Sequence, residues 1–338
     1  MPNKLNSFAF FVLAYNHEKY IIEHLESIKH LIGSYGSEIR FQLIVNDDCS
    51  RDRTTSLIDL WLLDNRNLFF DVVRIYNDNN VGTCLSVRNG LRELKAEHCK
   101  ITAGDDVYSC EDLFKAVSLY GLNDILSGVP LGILNGELKK NNVDVFNIIA
   151  SDIVYKNSAL MDRLKRISLI NAPSIIYKAE YLQDRSVLDF MTEYDVVEDL
   201  PIQIAIAESN KQARFYLDDV VYVYYRRTEG STFIIASERF NKDQSSIFNY
   251  LISHESSFFN KLILKNRLMC FLSKSKLVKR FLNIALWVYA SKVIINFPYI
   301  LSRFYSFDVE ITEHQKHLNV IQNKSKNFYS QNRLDDFV

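Results

Sequence analysis

The first 110 residues alternate between short apolar runs and segments with helical apolar spacing, and this alternation restricts the possible folds most. Helices are predicted to begin near Ile21, Asp52 and Leu85, with Asn16 and Ser50 as the caps of the first two. Four repeats of strand and helix predict an α/β fold, a mostly parallel sheet with helices on both faces. The predicted strands are Ser7–Leu13, Arg40–Val45, Phe70–Tyr76 and Cys99–Ala103.

A polar cluster follows each predicted strand. The clusters are Tyr15 with Asn16, Asp47 with Asp48, the loop Asn80–Gly82, and Asp105 with Asp106. In open parallel sheets, ligands bind beyond the carboxyl ends of the strands, where such clusters meet. The sequence therefore predicts one binding site, built from four loops at one edge of the sheet.

The fourth cluster lies in the segment KITAGDDVYSC, where Gly104 precedes the two aspartates. Paired carboxylates after a glycine suit a divalent cation with phosphate oxygens opposite, because such cations prefer oxygen ligands. The alternative is a turn in which Ser109 and Asp112 form a capping box for the next helix. The convergence of four loops favours the site over the isolated turn.

Bulk composition narrows the class of protein. A chain of 338 residues can bury one large core, or a core domain with a smaller appendage. The formal net charge of -1 gives no global indication of a nucleic-acid partner. Five cysteines without a CxxC pair do not favour a disulfide framework or a zinc site, and they fit a reducing cytoplasm.

The middle of the chain is less regular. Val143–Ala150 is predicted as a strand, and Glu198–Pro201 as the start of a helix, since Pro201 suits a first helical turn. The remaining predictions are helices over Ser158–Ile167 and Ala179–Phe190 and strands over Ser174–Lys178 and Arg214–Arg226.

The last hundred residues differ in character from about Asn241 onward. No acidic residue occurs between Ser256 and Phe307, while nine lysines and arginines alternate there with apolar residues. This pattern predicts basic amphipathic helices on an anionic membrane surface through 256–307. The alternatives are a helical appendage packed on the core or a homodimer interface. The tail from His314 is predicted to fray, with His314 and His317 solvated.

Several catalytic motifs are absent. The sequence has no GxGxxG after the first strand, no GxxxxGK[ST], no HExxH and no GxSxG. The nicotinamide dinucleotide fingerprint, the P-loop and the serine-hydrolase elbow are thereby excluded.

The ordered clusters resemble glycosyltransferase family 2, over roughly Ser7–Thr232. FVLAYNHEKYIIEHLESI is similar to the family's opening strand and helix, LIVNDDCSRDRT to its V-D-D-x-S-x-D-x-T segment, and NNVGTCLSVRNGL to its N-x-G-x-x-x-A-R-N-x-G segment. ITAGDDVYS stands where the DxD-type metal motif occurs, with Ala103 at the first acidic position. VVEDLPIQIA resembles the general-base segment, and YYRRTEGST resembles a Y-R-x-H-x-x-S stretch with Thr228 at the histidine position.

The resemblance implies a GT-A fold and inverting transfer from a nucleotide sugar, expected to be a UDP-sugar. It implies Asp199 beside Glu198 as the catalytic base and Asp105 with Asp106 as ligands of Mn²⁺ or Mg²⁺. An N-capping carboxylate is stabilised as the anion, so desolvation by the bound acceptor is expected to supply the basicity of Asp199. The nucleotide-sugar contacts expected from the resemblance are Tyr15, Asn16, Asp47, Asp48, Asn80, Gly82, Arg88, Gly104, Asp105, Arg226 and Arg227.

The expected organisation is a GT-A domain over residues 1–235, with a nucleotide-binding half (1–110) and an acceptor-binding half (111–235), followed by a basic helical region over 236–338. By resemblance, the enzyme is a hexosyl- or N-acetylhexosaminyltransferase acting on a glycan or polyprenyl-diphosphate-linked acceptor in bacterial O-antigen or capsule synthesis. It is expected in the cytoplasm, peripheral on the inner face of the cytoplasmic membrane. A sugar nucleotidyltransferase and a non-catalytic nucleotide-sugar-binding module are the alternatives.

Overall fold

The computed structural model describes residues 4–120, 124–226 and 238–334. Nine strands in this part of the chain form one sheet, in the order β3-β2-β1-β4-β8-β6-β9-β5, with β7 paired to β6. The strands are β1 Ser7–Ala14, β2 Arg40–Asp47, β3 Asp71–Tyr76, β4 His98–Ala103, β5 Val107–Tyr108, β6 Ile125–Leu134, β7 Glu137–Lys139, β8 Ile175–Lys178 and β9 Phe215–Arg226.

The sheet has a parallel and a mixed part. β1 pairs in parallel with β2 and with β4, and β2 pairs in parallel with β3. Beyond β4 the direction changes, because β8 runs antiparallel to both β4 and β6, while β9 lies parallel to β6. The four strands predicted from the first 110 residues are thus confirmed as the parallel part.

Helices cover both faces of the sheet. The helices preceding the C-terminal region are α1 Ile21–Tyr35, α2 Thr54–Asn65, α3 Thr83–Leu91, α4 Leu113–Tyr120, α5 Asn142–Tyr155, α6 Leu160–Leu164, α7 Ala179–Leu182, α8 Arg185–Phe190 and α9 Asp199–Ser209. Along β1, Phe8 and Phe10 join the core that contains α1 and α2, whereas Ala9 and Phe11 join the core that contains α3. A strand buried on both faces explains the unbroken apolar run.

Two predictions in the middle of the chain were wrong. Val143–Ala150, predicted as a strand, lies within α5, whose first amides are capped by the Asn141 side chain. Its short apolar run fits either a buried strand or a buried helix, and the Asn141 cap favours the helix. The predicted helix Ala179–Phe190 is instead two helices, because the Asp184 side chain accepts the Ser186 N–H and caps a new helix that begins at Arg185.

The C-terminal region is helical, as predicted. Its helices are α10 Glu238–Ser253, α11 Phe258–Leu272, α12 Lys276–Phe281, α13 Ile284–Ile295, α14 Phe297–Ser306 and α15 Ile311–Gln331. Among the described residues, no single helix has the length and hydropathy to cross a membrane. The pair α13 and α14 passes that test only together, bent by 74°.

The predicted fraying of the tail was wrong. α15 is a 21-residue helix, and Leu318, Ile321 and Tyr329 on it are buried. His314 and His317, predicted to be solvated, are 4% and 8% exposed. Apolar residues at helical spacing in a polar sequence allow this helix to pack against α1 and the sheet.

Candidate active site

The carboxyl ends of the first four strands lie side by side. Ala14 at the end of β1 pairs with Asp47 at the end of β2, and Asp47 pairs with Tyr76 at the end of β3. Leu13 pairs with Ala103, the last residue of β4. The loops that carry the predicted site residues therefore start from one edge of the sheet.

The first loop is tied to the second through Asn16. Its backbone N–H donates to Ser50 Oγ at 2.8 Å, and its Oδ1 accepts from the Arg51 N–H at 2.8 Å. Asn16 has a φ of 56°. The predicted caps were wrong, because Tyr20 precedes the start of α1 and Arg53 precedes the start of α2. Tyr15 beside it is 47% exposed, which leaves its ring accessible to a stacking partner.

Asp47 and Asp48 organise the second and third loops. Asp47 accepts hydrogen bonds from the backbone and hydroxyl of Ser50. Asp48 accepts from the N–H groups of Val81 (2.8 Å) and Gly82 (2.9 Å), so both its oxygens bind the loop of the third cluster. Asn80 donates to the Asp48 carbonyl at 3.3 Å. Both aspartates lie where predicted, but protein groups already occupy much of their hydrogen-bonding capacity.

Gly82 joins the third loop to the segment preceding α9. Its φ is 89°, and a Cβ there would lie 2.3 Å from Asp195 Oδ1, so only glycine fits. Asp195 in turn forms a two-pronged ion pair with Arg239 of α10, with both nitrogen–oxygen distances at 2.5 Å. The glycine of the third cluster is therefore explained by this close approach.

Asp243 of α10 holds the same segment. Its Oδ2 accepts hydrogen bonds from the backbone N–H groups of Asp195, Val196 and Val197, at 2.9, 2.7 and 3.1 Å. The sequence analysis missed Arg239 and Asp243. They lie about forty residues beyond the segment they support, in a helix assigned to the C-terminal region, and no local motif marks them.

The fourth loop places Asp105 and Asp106 against α1. A Cβ on Gly104 would lie 2.7 Å from Ile21 and 3.0 Å from the His17 ring, so glycine permits this approach. Asp105 is 6% exposed, and its Oδ1 lies 4.0 Å from His17 Nε2. His17 was not among the predicted site residues, since it was considered only as part of an HExxH motif.

Asp106 is almost fully buried, at 1% exposure. Its Oδ1 accepts the Arg226 backbone N–H at 2.9 Å, whereas its Oδ2 has no hydrogen-bond partner among the described residues. Burial, together with the neighbouring Asp105 charge, raises its pKa well above the ordinary value. Burial also lowers the pKa of the nearby Lys100 to about 7.

This carboxylate pair fits a divalent cation. An unpaired buried carboxylate oxygen requires a proton or a cation, and hard oxygen ligands suit Mg²⁺ and Mn²⁺. Asp105 and Asp106 are the residues that would hold the ion. The prediction that they do so remains a prediction.

Arg226 has partners other than the predicted diphosphate. Its Nε donates to the Asp105 carbonyl at 2.8 Å, its Nη2 pairs with Glu23 Oε2 at 2.5 Å, and its guanidinium lies 4.5 Å from the centre of the Tyr20 ring. The guanidinium therefore links β9 to α1 beneath the aspartates. Arg227 and Thr228 lie outside the described residues.

Arg88 lies on α3, the helix that begins directly after Gly82. Its Nη2 is 4.0 Å from Asp189 Oδ1, and its buried Nε has no hydrogen-bond partner in the described ranges. A long cation with one distant carboxylate can reorient toward a phosphate or sugar.

Glu198 and Asp199 begin α9, as the sequence predicted. Both are partly buried. Burial raises the pKa of each, and repulsion from Asp199 adds to the rise at Glu198. Desolvation by the acceptor was expected to raise the basicity of Asp199; burial in the protein already raises the pKa of both carboxyls. A carboxylate with a raised pKa is a stronger general base near neutral pH.

The comparisons with known proteins agree with this arrangement. Residues 10–161 match the family model described as Glycosyl transferase family 2. No curated protein matches the chain at a significant level.

Solved structures resemble the whole chain in fold. The S. aureus TarS fragment 1–349 in complex with UDP-GlcNAc has a TM-score of 0.55 at 18% identity, covering 98% of this chain and 90% of that one. The mannosyltransferase PcManGT from Pyrobaculum calidifontis, in complex with GDP-Man and Mn²⁺, has a TM-score of 0.54 at 15% identity with the same coverage. The family match assigns residues 10–161 to glycosyltransferase family 2, and the sheet order and strand-end loops give the chain a GT-A fold with a helical C-terminal region.

Proposed function

We propose that the chain is an inverting glycosyltransferase that moves a hexosyl or N-acetylhexosaminyl group from a UDP-sugar to a hydroxyl group. One observation supports this most. The segment that carries Glu198 and Asp199 contacts the nucleotide-side loops directly, through Asp195 at Gly82. A base and a leaving-group site must face the same sugar in an in-line displacement, and this contact brings the two sides together.

The donor side is proposed to consist of the four strand-end loops. Tyr15 stacks on the base, Asp47 and Asn80 contact the nucleoside, and Arg88 reaches a phosphate or the sugar. Asp48 acts mainly by holding the third loop, since backbone amides use both its oxygens. The UDP-GlcNAc and GDP-Man complexes of the structural neighbours support a nucleotide-sugar donor.

The chemistry is proposed as follows. Asp199 removes the proton from the acceptor hydroxyl as that oxygen attacks the anomeric carbon, and the nucleoside diphosphate leaves from the opposite face. Burial keeps the pKa of both carboxyls raised, and repulsion from Asp199 adds to the rise at Glu198. Asp105 and Asp106 would hold a divalent cation, and the chemistry it would supply is charge neutralisation for the leaving diphosphate. Gly104 lets the backbone approach the diphosphate closely.

A membrane-bound acceptor is proposed from the C-terminal helices. On α13, Ile284, Trp287 and Ile294 are exposed at helical spacing, which is the reverse of an ordinary packed helix. Exposed lysines and arginines occur in the two preceding helices and the turn between them, at Lys265, Lys274, Lys276, Lys279 and Arg280. An apolar stripe with basic neighbours suits an anionic bilayer surface.

We therefore propose a peripheral protein on the inner face of the cytoplasmic membrane. Its acceptor would be a glycan or polyprenyl-diphosphate-linked oligosaccharide in O-antigen or capsule synthesis.

A donor screen tests the transferase proposal without an acceptor. The protein is incubated with UDP-, GDP- and dTDP-sugars and Mn²⁺ or Mg²⁺, and slow nucleotide release and thermal shift are measured. We expect metal-dependent release from a UDP-sugar. Binding without release, even with added glycan acceptors, would indicate a non-catalytic module, and formation of a nucleotide sugar from a sugar phosphate would indicate a nucleotidyltransferase.

Vesicle flotation tests the membrane proposal. We expect the protein to float with anionic vesicles and not with neutral ones, and the double variant Ile294→Ser with Ile295→Ser to lose this binding. Val320→Ser, an exposed apolar position on α15, serves as the control. If the double variant instead dissociates a dimer and leaves flotation unchanged, the surface is a homodimer interface.

A further inference from the structure

A second group of side chains of metal-ligating types lies where the turn after β5 meets α15. Cys110 and Glu111 follow β5, and His314 lies in the first turn of α15, more than two hundred residues later. One ligand atom from each lies within 4.8 Å of those of the other two. In the described ranges this is the single group of three or more such residues with that spacing.

The spacing suits a tetrahedral metal ion. Zinc bonds of about 2.0–2.3 Å place neighbouring ligand atoms about 3.3–3.6 Å apart. Cys110 Sγ lies 3.4 Å from His314 Nδ1, and Glu111 Oε1 lies 3.7 Å from His314 Nε2. An imidazole binds one ion through a single nitrogen, so closing the set at Nε2 requires the Cys110 side chain, which lies beside Nδ1, to rotate toward Nε2.

Tyr224 of β9 supplies the outer contacts that metal-binding histidines commonly have. Its hydroxyl lies 2.9 Å from His314 Nδ1 and 3.8 Å from Cys110 Sγ. With Nε2 on the metal, Nδ1 keeps the Tyr224 contact, which fixes the tautomer and the ring orientation. Tyr224 is buried and holds this place rigidly.

Burial and access also fit. His314 is 5% exposed at its side chain, whereas the Glu111 side chain is 46% exposed, so an ion can enter from solvent on the Glu111 side. Three protein ligands leave a fourth position for water. Sulfur and nitrogen ligands select zinc-like ions over Mg²⁺ or Mn²⁺, which separates this cluster chemically from the aspartates of the sugar site.

We propose that Cys110, Glu111 and His314 form a Zn²⁺ site that fastens α15 to the turn after β5. Binding replaces the thiol proton of Cys110 with the metal and releases that proton to solvent. The site would cross-link the last helix to a segment only four residues beyond Asp106. It is independent of the proposed transferase chemistry.

Cobalt substitution tests the proposal on the full-length chain. After EDTA treatment and buffer exchange, Co²⁺ is titrated and the absorption spectrum recorded. With excess Mg²⁺ present to occupy Asp105 and Asp106, we expect one Co²⁺ per chain with the intense visible bands of tetrahedral coordination and a near-ultraviolet thiolate charge-transfer band, both lost on adding Zn²⁺. Zn²⁺ should also raise the Tm.

Matched variants assign the ligands. Cys110→Ser should lose the charge-transfer band, His314→Asn should lose tetrahedral binding, and Glu111→Gln should weaken affinity at least tenfold in a chain that folds normally, since this side chain is half exposed. Cys270→Ala and His254→Asn, which alter a thiol and an imidazole elsewhere, should bind as the wild type. Absence of stoichiometric binding, a six-coordinate spectrum, or a charge-transfer band that survives Cys110→Ser would overturn the proposal.

Discussion

Two pairs of adjacent carboxylates occupy the candidate active site, and their surroundings differ. Asp105 and Asp106 lie close to Arg226, with the buried Lys100 and His17 nearby. Glu198 and Asp199 form no ion pair within the described ranges, and backbone hydrogen bonds are the main interactions that oppose their rise in pKa. Burial raises a carboxyl pKa in both places, but cations counter it only in the first.

This difference suits the first pair to binding a cation and the second pair to accepting a proton. The pKa of Asp106 is raised as well, but the cations around the first pair favour its ionised form, and a bound metal ion would favour it further. A pair without cations carries an energetic cost when ionised, and accepting a proton relieves that cost. The two pairs therefore suit the two requirements of sugar transfer, a leaving-group site and a base.

Replacing the proposed base, Asp199, should have the largest effect, and this effect should be on the transfer rate. Asp199→Asn keeps the shape of the α9 start but cannot accept a proton, so we expect transfer to fall by about 10²- to 10⁴-fold. Donor binding, measured by thermal shift, should not change. Glu193→Gln, an exposed acidic residue in the preceding segment, is the control. A folded Asp199→Asn protein with the wild-type transfer rate would refute the assignment of the base.

The sequence predicted the first carboxylate pair better than its surroundings. Strand β4 and the two aspartates could be read locally, because a buried parallel strand is a continuous apolar run that ends at a polar turn. The contact of Arg226 with Glu23 could not, since the two are joined only when β9 returns beside the turn after β4. The predicted diphosphate role overlooked that partner.

For the second pair, Glu198 and Asp199, the surrounding long-range contacts were even less predictable from the sequence. Pro201 and the acidic start of α9 were visible in the sequence, and the helix begins at Asp199. The support of its preceding segment by Arg239 and Asp243 depends on where α10 packs. Side chains that bind backbone amides of distant segments leave no periodic pattern. Local chemistry was therefore predictable, and long-range hydrogen bonding was not.

Arg226→Met should produce the next largest effect, on stability. Glu23 is 15% exposed at its side chain, and removing its cation leaves a largely buried carboxylate unpaired. We expect the free energy of unfolding to fall by about 3 kcal/mol, measured by urea denaturation. The double variant with Glu23→Leu should recover most of this loss. Arg74→Met, which breaks an exposed ion pair with Asp59, should change stability little.

Glu198→Gln should give the smallest effect and reveal the pH dependence of the second pair. In the folded chain the pKa of Glu198 is raised above its ordinary value of 4.5, while in the unfolded chain it is not. As pH rises above that ordinary value, the unfolded state loses the proton first, so this group lowers stability increasingly through neutral pH.

Glutamine removes the ionisation and the repulsion on Asp199. We expect wild type and variant to be alike at about pH 4, and the variant to be more stable by about 1 kcal/mol at about pH 8. The residual transfer activity should also reach its half-maximal value at lower pH, because an isolated Asp199 ionises more readily. Denaturant unfolding and transfer rates measured across this range test both effects. A stability difference that does not grow with pH would mean that the pair is not strained by its charge, and the contrast with Asp105 and Asp106 would be lost.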